Sequence, residues 1–237
     1  MKTIGLIGGM SWESSLQYYQ IINQCVKDKL GGHHSAKSLM YSVDFEEIKR
    51  LQYEGKWEEA TNIMIDIAQK LEVAGADFII ICTNTMHKMA KEVEKSISIP
   101  LLHIADATAN LIVQNGIKKV ALLGTVFTME QDFYKGRLVG NFGLDVIAPN
   151  KEDRKVVHDI IYEELCLGVI NEESRQSYLK IINRLIQQGA EAVILGCTEI
   201  TLLISQDNCT IPLYDTTRIH AESAVNFALK NNKSLLK

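Results

Sequence analysis

The chain has 237 residues, a net charge of −4, 46% hydrophobic and 23% charged residues, 15 glycines and only 3 prolines. That composition excludes a disordered or fibrous chain, and the scattered Lys and Arg supply no basic stripe for binding nucleic acid. No run approaches the ~20 apolar residues of a membrane span, and at ~150 residues per domain the length suits one large unit or two small ones.

The chain opens "MKTIGLIGGMSWESS", a short apolar run broken by glycines. It lacks the basic and apolar regions of a signal peptide, so a cytoplasmic protein is expected. "GLIGGM" is neither GxGxxG nor a GK[ST] loop, and its glycines are expected to let the backbone approach a small ligand. Strands are predicted at Thr3 to Ile7, Ser38 to Ser42, Phe78 to Cys82, Leu101 to His103, Val120 to Leu123, Asp145 to Ile147, Ala192 to Leu195 and Leu213 to Tyr214. Helical periodicity lies between them, as in Glu58 to Ala74, Arg154 to Leu167 and Glu172 to Gln188. "KEVEK" and "EESRQ" read as solvated helix faces. This alternation predicts an α/β fold with parallel sheets.

Laid over each other, the two halves match. "KTIGLIGGMSWESSLQYY" is similar to "KKVALLGTVFTMEQDFYKG", "AGADFIIICTNT" to "QGAEAVILGCTEI", and "IPLLHIADAT" to "IPLYDTTRIHAES". The offsets are 116 (120 − 4), 115 (197 − 82) and 112 (212 − 100) residues. A repeat at nearly one offset predicts two related, pseudo-symmetric doubly wound domains with mostly parallel sheets and a cleft between them. Their expected extents are 1–105 plus 214–237, and 106–213. The last apolar stretch, "HAESAVNFALK", is expected to form a helix that returns to the first domain and makes it discontinuous.

Five cysteines at wide spacing (Cys25, Cys82, Cys166, Cys197 and Cys209) argue against a disulfide framework and against a CxxC pair. The repeat singles out two of them. Cys82 and Cys197 each stand at the carboxyl end of a predicted strand, the edge where open α/β sheets place ligands. Thr83 or Asn84 after the first, and Thr198 after the second, are able to cap a helix, whose free N–H groups would favour anions and thiolates. Two opposed thiols suit proton exchange at a carbon: one base removes a proton from one face and the other returns one to the opposite face. A helix-end anion site would hold the substrate carboxylate and stabilise the enolate-like transition state. The remaining three cysteines are expected to pack as small apolar groups.

"IIICTNTMH" and "VILGCTEI" resemble the two cysteine signatures of the aspartate/glutamate racemase family, whose members work without pyridoxal phosphate. The resemblance extends over essentially the whole chain, and "GLIGGMSWESSLQYY" with "HSAKSLMYSVDF" is similar to the bacterial amino-acid racemase branch, including its broad-specificity members. It implies an amino-acid racemase with Cys82 and Cys197 as acid/base groups and no cofactor. It places Met10, Gln52, Thr83, Asn84, Thr85 and Glu164 around a small amino-acid substrate, with Thr198 beside the second thiol, and it implies a homodimer. Aspartate-specific members offer basic residues near the positions of Gln52 and Glu164. Here those positions are neutral and acidic, so neutral or cationic side chains are expected unless a cation such as Arg50 intervenes. Related reactions on the same scaffold are hydantoin racemisation, decarboxylation of activated malonates and maleate isomerisation; a non-catalytic carboxylate sensor is the reading from another class.

Among the histidines, His87 is placed to tune Cys82 or to serve as a structural group, and His103 to line the cleft or to be hydrogen-bonded in the interior. His33 and His34 lack the spaced third ligand of a metal site, and no metal is predicted.

Overall fold

The computed structural model describes residues 1–230. The last seven residues of the expected first domain, 231–237, lie outside them. The first sheet is built from β1 (Ile4–Gly8), β2 (Ser38–Ser42), β3 (Phe78–Ile81) and β4 (Leu101–Leu102), in the order β2-β1-β3-β4. The second is built from β5 (Lys119–Gly124), β6 (Asp145–Ile147), β7 (Ala192–Gly196) and β8 (Leu213–Asp215), in the order β6-β5-β7-β8. Every pairing in both is parallel, and the strand order of the first recurs in the second. The repeat read from the sequence is therefore a repeat of topology.

The helices in chain order are α1 (Trp12–Leu30), α2 (Phe45–Tyr53), α3 (Trp57–Val73), α4 (Ala90–Ser96), α5 (Ile104–Gln114), α6 (Val126–Glu130), α7 (Asp132–Phe142), α8 (Lys151–Glu163), α9 (Glu172–Gln187), α10 (Ile200–Leu203) and α11 (Thr216–Leu229). Several start where the sequence supplies a cap: the side chains of Ser11, Asp44, Asn150 and Asn171 each accept a first-turn backbone N–H. The single helix expected from Arg154 to Leu167 stops at Glu163, because Glu164 leaves helical geometry (φ −124, ψ −67) and a 3₁₀ turn follows over Leu165–Leu167.

The described residues form two compact units, Met1–Ile104 with residues 220–230, and Ala105–Ile219. In the first, parallel strands buried on both faces send alternate side chains to opposite sides. Ile7, Ile79 and Ile81 pack with residues of α2, α3 and α4. Ile4, Leu6, Phe78, Ile80 and Cys82 pack with Tyr18, Ile22 and Val26 of α1 and with Ala221, Ala224, Val225 and Ala228 of α11. In the second unit Ala121, Leu123, Val193, Leu195 and Cys197 pack with residues of α8, α9 and α10.

The glycines of "GLIGGM" answer to the protein's own packing, which corrects the ligand-approach expectation. A Cβ on Gly8 would lie 2.7 Å from Ser15 Oγ, and one on Gly9, whose φ is +90, would lie 2.4 Å from the backbone oxygen of Val43. In the second unit Gly124 and Gly196 are paired across β5 and β7, and a Cβ on either would lie 2.8 Å from a backbone oxygen of the opposite strand.

Candidate active site

Each of the two singled-out cysteines is the first residue past its strand, Cys82 after β3 and Cys197 after β7. Both strands pair with the first strand of their own sheet. The order 2-1-3-4 reverses direction at that pairing, and such switch points are where open α/β sheets leave room for a ligand.

In the first unit the Cys82 backbone is held on two sides: its N–H donates to the Ile7 carbonyl at 2.9 Å, and its carbonyl accepts from Ser14 Oγ at 3.0 Å. Ser14 belongs to the first turn of α1, so the "SWESS" motif that starts this helix also braces the thiol's main chain. The thiol is fully buried. Asn84 and Thr85 are buried and Thr83 partly so. Met10 shares an apolar cluster with Met86 and Leu51, and Gln52, 4% exposed, donates from Nε2 to Met86 Sδ at 3.2 Å. Met10, Gln52 and the segment after Cys82 are thus brought together. Arg50 is paired with Glu54, the residue just past its own helix.

Three histidines that are far apart in the chain meet behind this segment. The ring of His87 lies 4.5 Å from that of His103 and 5.7 Å from that of His220. His87 Nε2 accepts the Ile104 N–H at 3.2 Å, so the ring proton sits on Nδ1 and is donated to the Thr83 carbonyl at 2.8 Å. His220 donates from Nε2 to the Leu102 carbonyl and accepts from the Tyr18 hydroxyl at Nδ1, both at 2.9 Å. His87 and His103 are interior groups, and His220, which sequence reasoning missed, joins them because α11 returns to this unit; only the stretch "HAESAVNFALK" hinted at it.

Burial pushes the His220 imidazole down to about 4. An unfolded chain binds this proton with a pKa near 6.5, so between pH 6.5 and 4 the unfolded state carries more protons and stability falls with falling pH. Urea unfolding is expected to show a loss of about 2 kcal/mol from this group between pH 7 and pH 5. His220→Gln should flatten the profile by that amount; an unchanged slope contradicts the assignment.

In the second unit Cys197, Thr198 and Glu199 are 8%, 3% and 4% exposed. The Cys197 thiol donates to Glu199 Oε2 at 3.0 Å, and Thr198 Oγ1 donates to the same oxygen at 2.5 Å. Glu164, at the break after α8, accepts from Ser174 Oγ at 2.8 Å with one oxygen, while its other oxygen is buried without a hydrogen bond among the described residues. Tyr178, whose hydroxyl donates to the Val157 carbonyl, lies within electrostatic reach of Cys197, Cys166, Glu164 and Glu199. Glu164 and Cys197 therefore share one neighbourhood, and Glu199 enters it unannounced. An acidic residue two places after the cysteine was its only signal.

Two expectations need correction. Thr83, Asn84 and Thr198 make no helix caps: a 3₁₀ turn, Thr85–Met89, follows Cys82, Asn84 at its start makes no side-chain cap, and the four-residue α10 starts from an uncapped Glu199. Such short elements carry little dipole. Nor are the thiols acidified. Burial pushes Cys82 far above the usual thiol range, and Cys197 is pushed up by burial and then by the Glu199 carboxylate. Among the described residues no three His, Cys, Asp or Glu side chains form a metal-binding group, and no helix is long and apolar enough to cross a membrane.

The family model described as Asp/Glu/Hydantoin racemase matches residues 7–224. The chain belongs to this racemase family. Among curated relatives, the broad-specificity amino-acid racemase RacX of Bacillus subtilis is 29% identical over 173 residues, 71% of this chain and 72% of RacX. Among solved structures, an Asp/Glu racemase structure from Yersinia pestis is 55% identical, with a TM-score of 0.91 over 97% of this chain and 100% of that one. An aspartate racemase homologue from Pyrococcus horikoshii is 36% identical, with a TM-score of 0.83 over 96% and 99%. The glutamate racemase of Francisella tularensis, solved with D-glutamate, shares the fold at 19% identity and a TM-score of 0.68. The chain is an enzyme of the racemase type, and its two four-stranded parallel sheets are the two-domain α/β architecture of these neighbours.

Proposed function

We propose that the protein is a cofactor-independent amino-acid racemase in which Cys82 and Cys197 are the two acid/base groups, acting in the cytoplasm as a homodimer. The reading is carried by one observation: in each topological repeat the third strand is followed directly by a buried cysteine and then a threonine. One cysteine, as thiolate, takes the α-proton from one face of the substrate; the C–H electron pair remains on the α-carbon and its carboxylate. The other, as thiol, returns a proton to the opposite face. Nothing is oxidised or reduced. Burial makes each thiolate scarce but strongly basic, which suits a carbon acid as weak as an amino acid.

Met10, Gln52, Thr83, Asn84 and Thr85 in the first unit, and Glu164 and Thr198 in the second, are the residues assigned to substrate binding in this reading. Neutral Gln52 and acidic Glu164 favour neutral or cationic side chains over a second carboxylate, in keeping with the broad-specificity name of RacX. The test is proton NMR in D₂O, without added cofactor, on both enantiomers of aspartate, glutamate, homoserine, lysine and alanine. Loss of the α-proton signal is expected for at least one of them. A folded protein that exchanges none of them, and exchanges a 5-substituted hydantoin instead, overturns the amino-acid assignment.

A further inference from the structure

Resting on the racemase reading, we propose that His87 is a positioning residue, whose imidazole sets the course of residues 83–85 by holding the Thr83 carbonyl. The ring is buried and packed against those of His103 and His220, at 4.5 and 5.7 Å. Each ring nitrogen has its own backbone partner. Nδ1 donates to the Thr83 carbonyl at 2.8 Å, and Nε2 accepts the Ile104 N–H at 3.2 Å. The main chain of His87 takes up the next carbonyl as well, its N–H donating to Asn84 at 3.1 Å. One residue therefore gathers two successive carbonyls of the segment assigned to substrate binding.

The consequence follows from the planar peptide bond. In a trans peptide the C=O and the N–H that follows it point in opposite directions. With both carbonyls turned toward His87, the N–H groups of Asn84 and Thr85 are turned away from it. Asn84 takes φ −72 and ψ −46, an ordinary helical conformation without strain, so local sterics alone do not select this course. No side-chain cap selects it either, and the 3₁₀ turn that follows is a short element with weak internal hydrogen bonds. The imidazole supplies the missing constraint. Its other nitrogen makes that constraint definite: with Nε2 occupied by the Ile104 N–H, the ring proton stays on Nδ1, where the Thr83 carbonyl accepts it. The same turn carries Met86, whose Sδ accepts from Gln52 Nε2 at 3.2 Å, so the hold on residues 83–85 extends to Gln52. Groups around a reacting centre must keep their places to within a fraction of an ångström, and a ring anchored at two points in the interior provides that for a short turn.

The test separates the two ring bonds. In His87→Asn the side-chain amide nitrogen reaches the place of Nδ1 and keeps the Thr83 bond; in His87→Gln the amide oxygen reaches the place of Nε2 and keeps the Ile104 bond. Each variant loses one hydrogen bond, so both are expected to unfold at lower urea concentration than wild type. Activity per folded molecule divides them. In α-proton exchange, kcat/KM of His87→Gln is expected to fall about 10²-fold, the cost of a small misplacement near reacting atoms, while His87→Asn stays within about tenfold of wild type. A purely structural histidine would lower activity only through the unfolded fraction, and alike in both variants. Equal kcat/KM per folded molecule in the two, or a lower one in His87→Asn, overturns the inference. Should His87→Gln not fold, ¹⁵N NMR of the wild-type His87 imidazole decides. A proton on Nδ1, and a shift on saturation with the amino acid that the enzyme exchanges, are expected; a proton on Nε2, or a resonance that substrate leaves unmoved, overturns it. If wild type exchanges no amino acid, the racemase reading falls and this inference with it; if wild type exchanges and both variants match it, only this inference falls.

Discussion

Cys82→Ser and Cys197→Ser are each expected to lower racemisation by about 10³-fold, within the range that a single general acid or base contributes. Serine keeps the size of the side chain but offers a hydroxyl that does not ionise at any working pH, so each variant loses one of the two proton-transfer groups. The backbone around both positions should survive, because what holds Cys82 is its own N–H to Ile7 and its carbonyl from Ser14, neither of which involves sulfur. The two losses should not add. Racemisation needs both groups within one turnover, so the double variant is expected to be about as inactive as either single one. Exchange of the α-proton without inversion asks less: one thiolate is sufficient, and each single variant should still exchange the enantiomer whose proton its remaining cysteine faces. Chiral chromatography of the products, run beside NMR exchange in D₂O, separates the two activities. A single variant that retains more than about a tenth of wild-type racemisation would refute the two-thiol mechanism.

The largest expected effect on stability is at Gly9. Gly9→Ala would place a methyl group 2.4 Å from the Val43 oxygen and 2.5 Å from the Val43 nitrogen, on a residue with φ +90. The backbone conformation alone costs about 1–2 kcal/mol for an L side chain. The contact is with main chain next to β2, which cannot swing aside as a flexible side chain would, and overpacking of this kind adds about 1–3 kcal/mol. A loss of about 3 kcal/mol or more in urea denaturation is expected. Gly143→Ala is the control, since Gly143 also has a positive φ, +67, but nothing lies within 4 Å of its Cβ position; it should lose about 1 kcal/mol. Equal losses at both sites would show that the contact with Val43 is unimportant. Because Met10 follows directly in the same segment, Gly9→Ala is also expected to impair activity in whatever fraction remains folded.

Much of this architecture was legible in the chain before any coordinates. The strands at Ser38–Ser42 and Asp145–Ile147 have the predicted bounds, and the others differ by a residue or two at an end. That success has a local cause: a parallel strand buried on both faces is an unbroken apolar run such as "FIII" or "AVILG", and the turn residues beside it mark where it stops. The repeat was legible for the same reason, since both halves rebuild one strand order from the same local pieces. The two cysteines stood out because the repeat aligned them at strand ends.

The environment of those cysteines was not legible, and the sequence argument gave the wrong sign for it. A threonine or asparagine after a strand looks like a helix cap, but capping requires that a helix of useful length follow, and here short turns do. Acidity of a thiol depends on what surrounds the sulfur. For Cys82 that includes Tyr18 of α1 and Ala221 of α11, residues 64 and 139 positions away (82 − 18 and 221 − 82). Likewise the glycines of "GLIGGM" announced that space was tight without saying what fills it; Ser15 and Val43 do.

By itself, then, the sequence determined the α/β class, the parallel sheets, the duplicated topology and the pair of strand-end cysteines, because periodicity, turn residues and repeats act over a few neighbouring residues. Only the tertiary structure decided that both thiols are buried and hard to ionise, that Glu199 turns back onto Cys197, and that His87, His103 and His220 form one interior cluster. The burial and the histidine cluster are set by desolvation and by partners brought from distant segments, while the Glu199 contact spans only two residues and needed the backbone course after β7 to show which way that side chain turns.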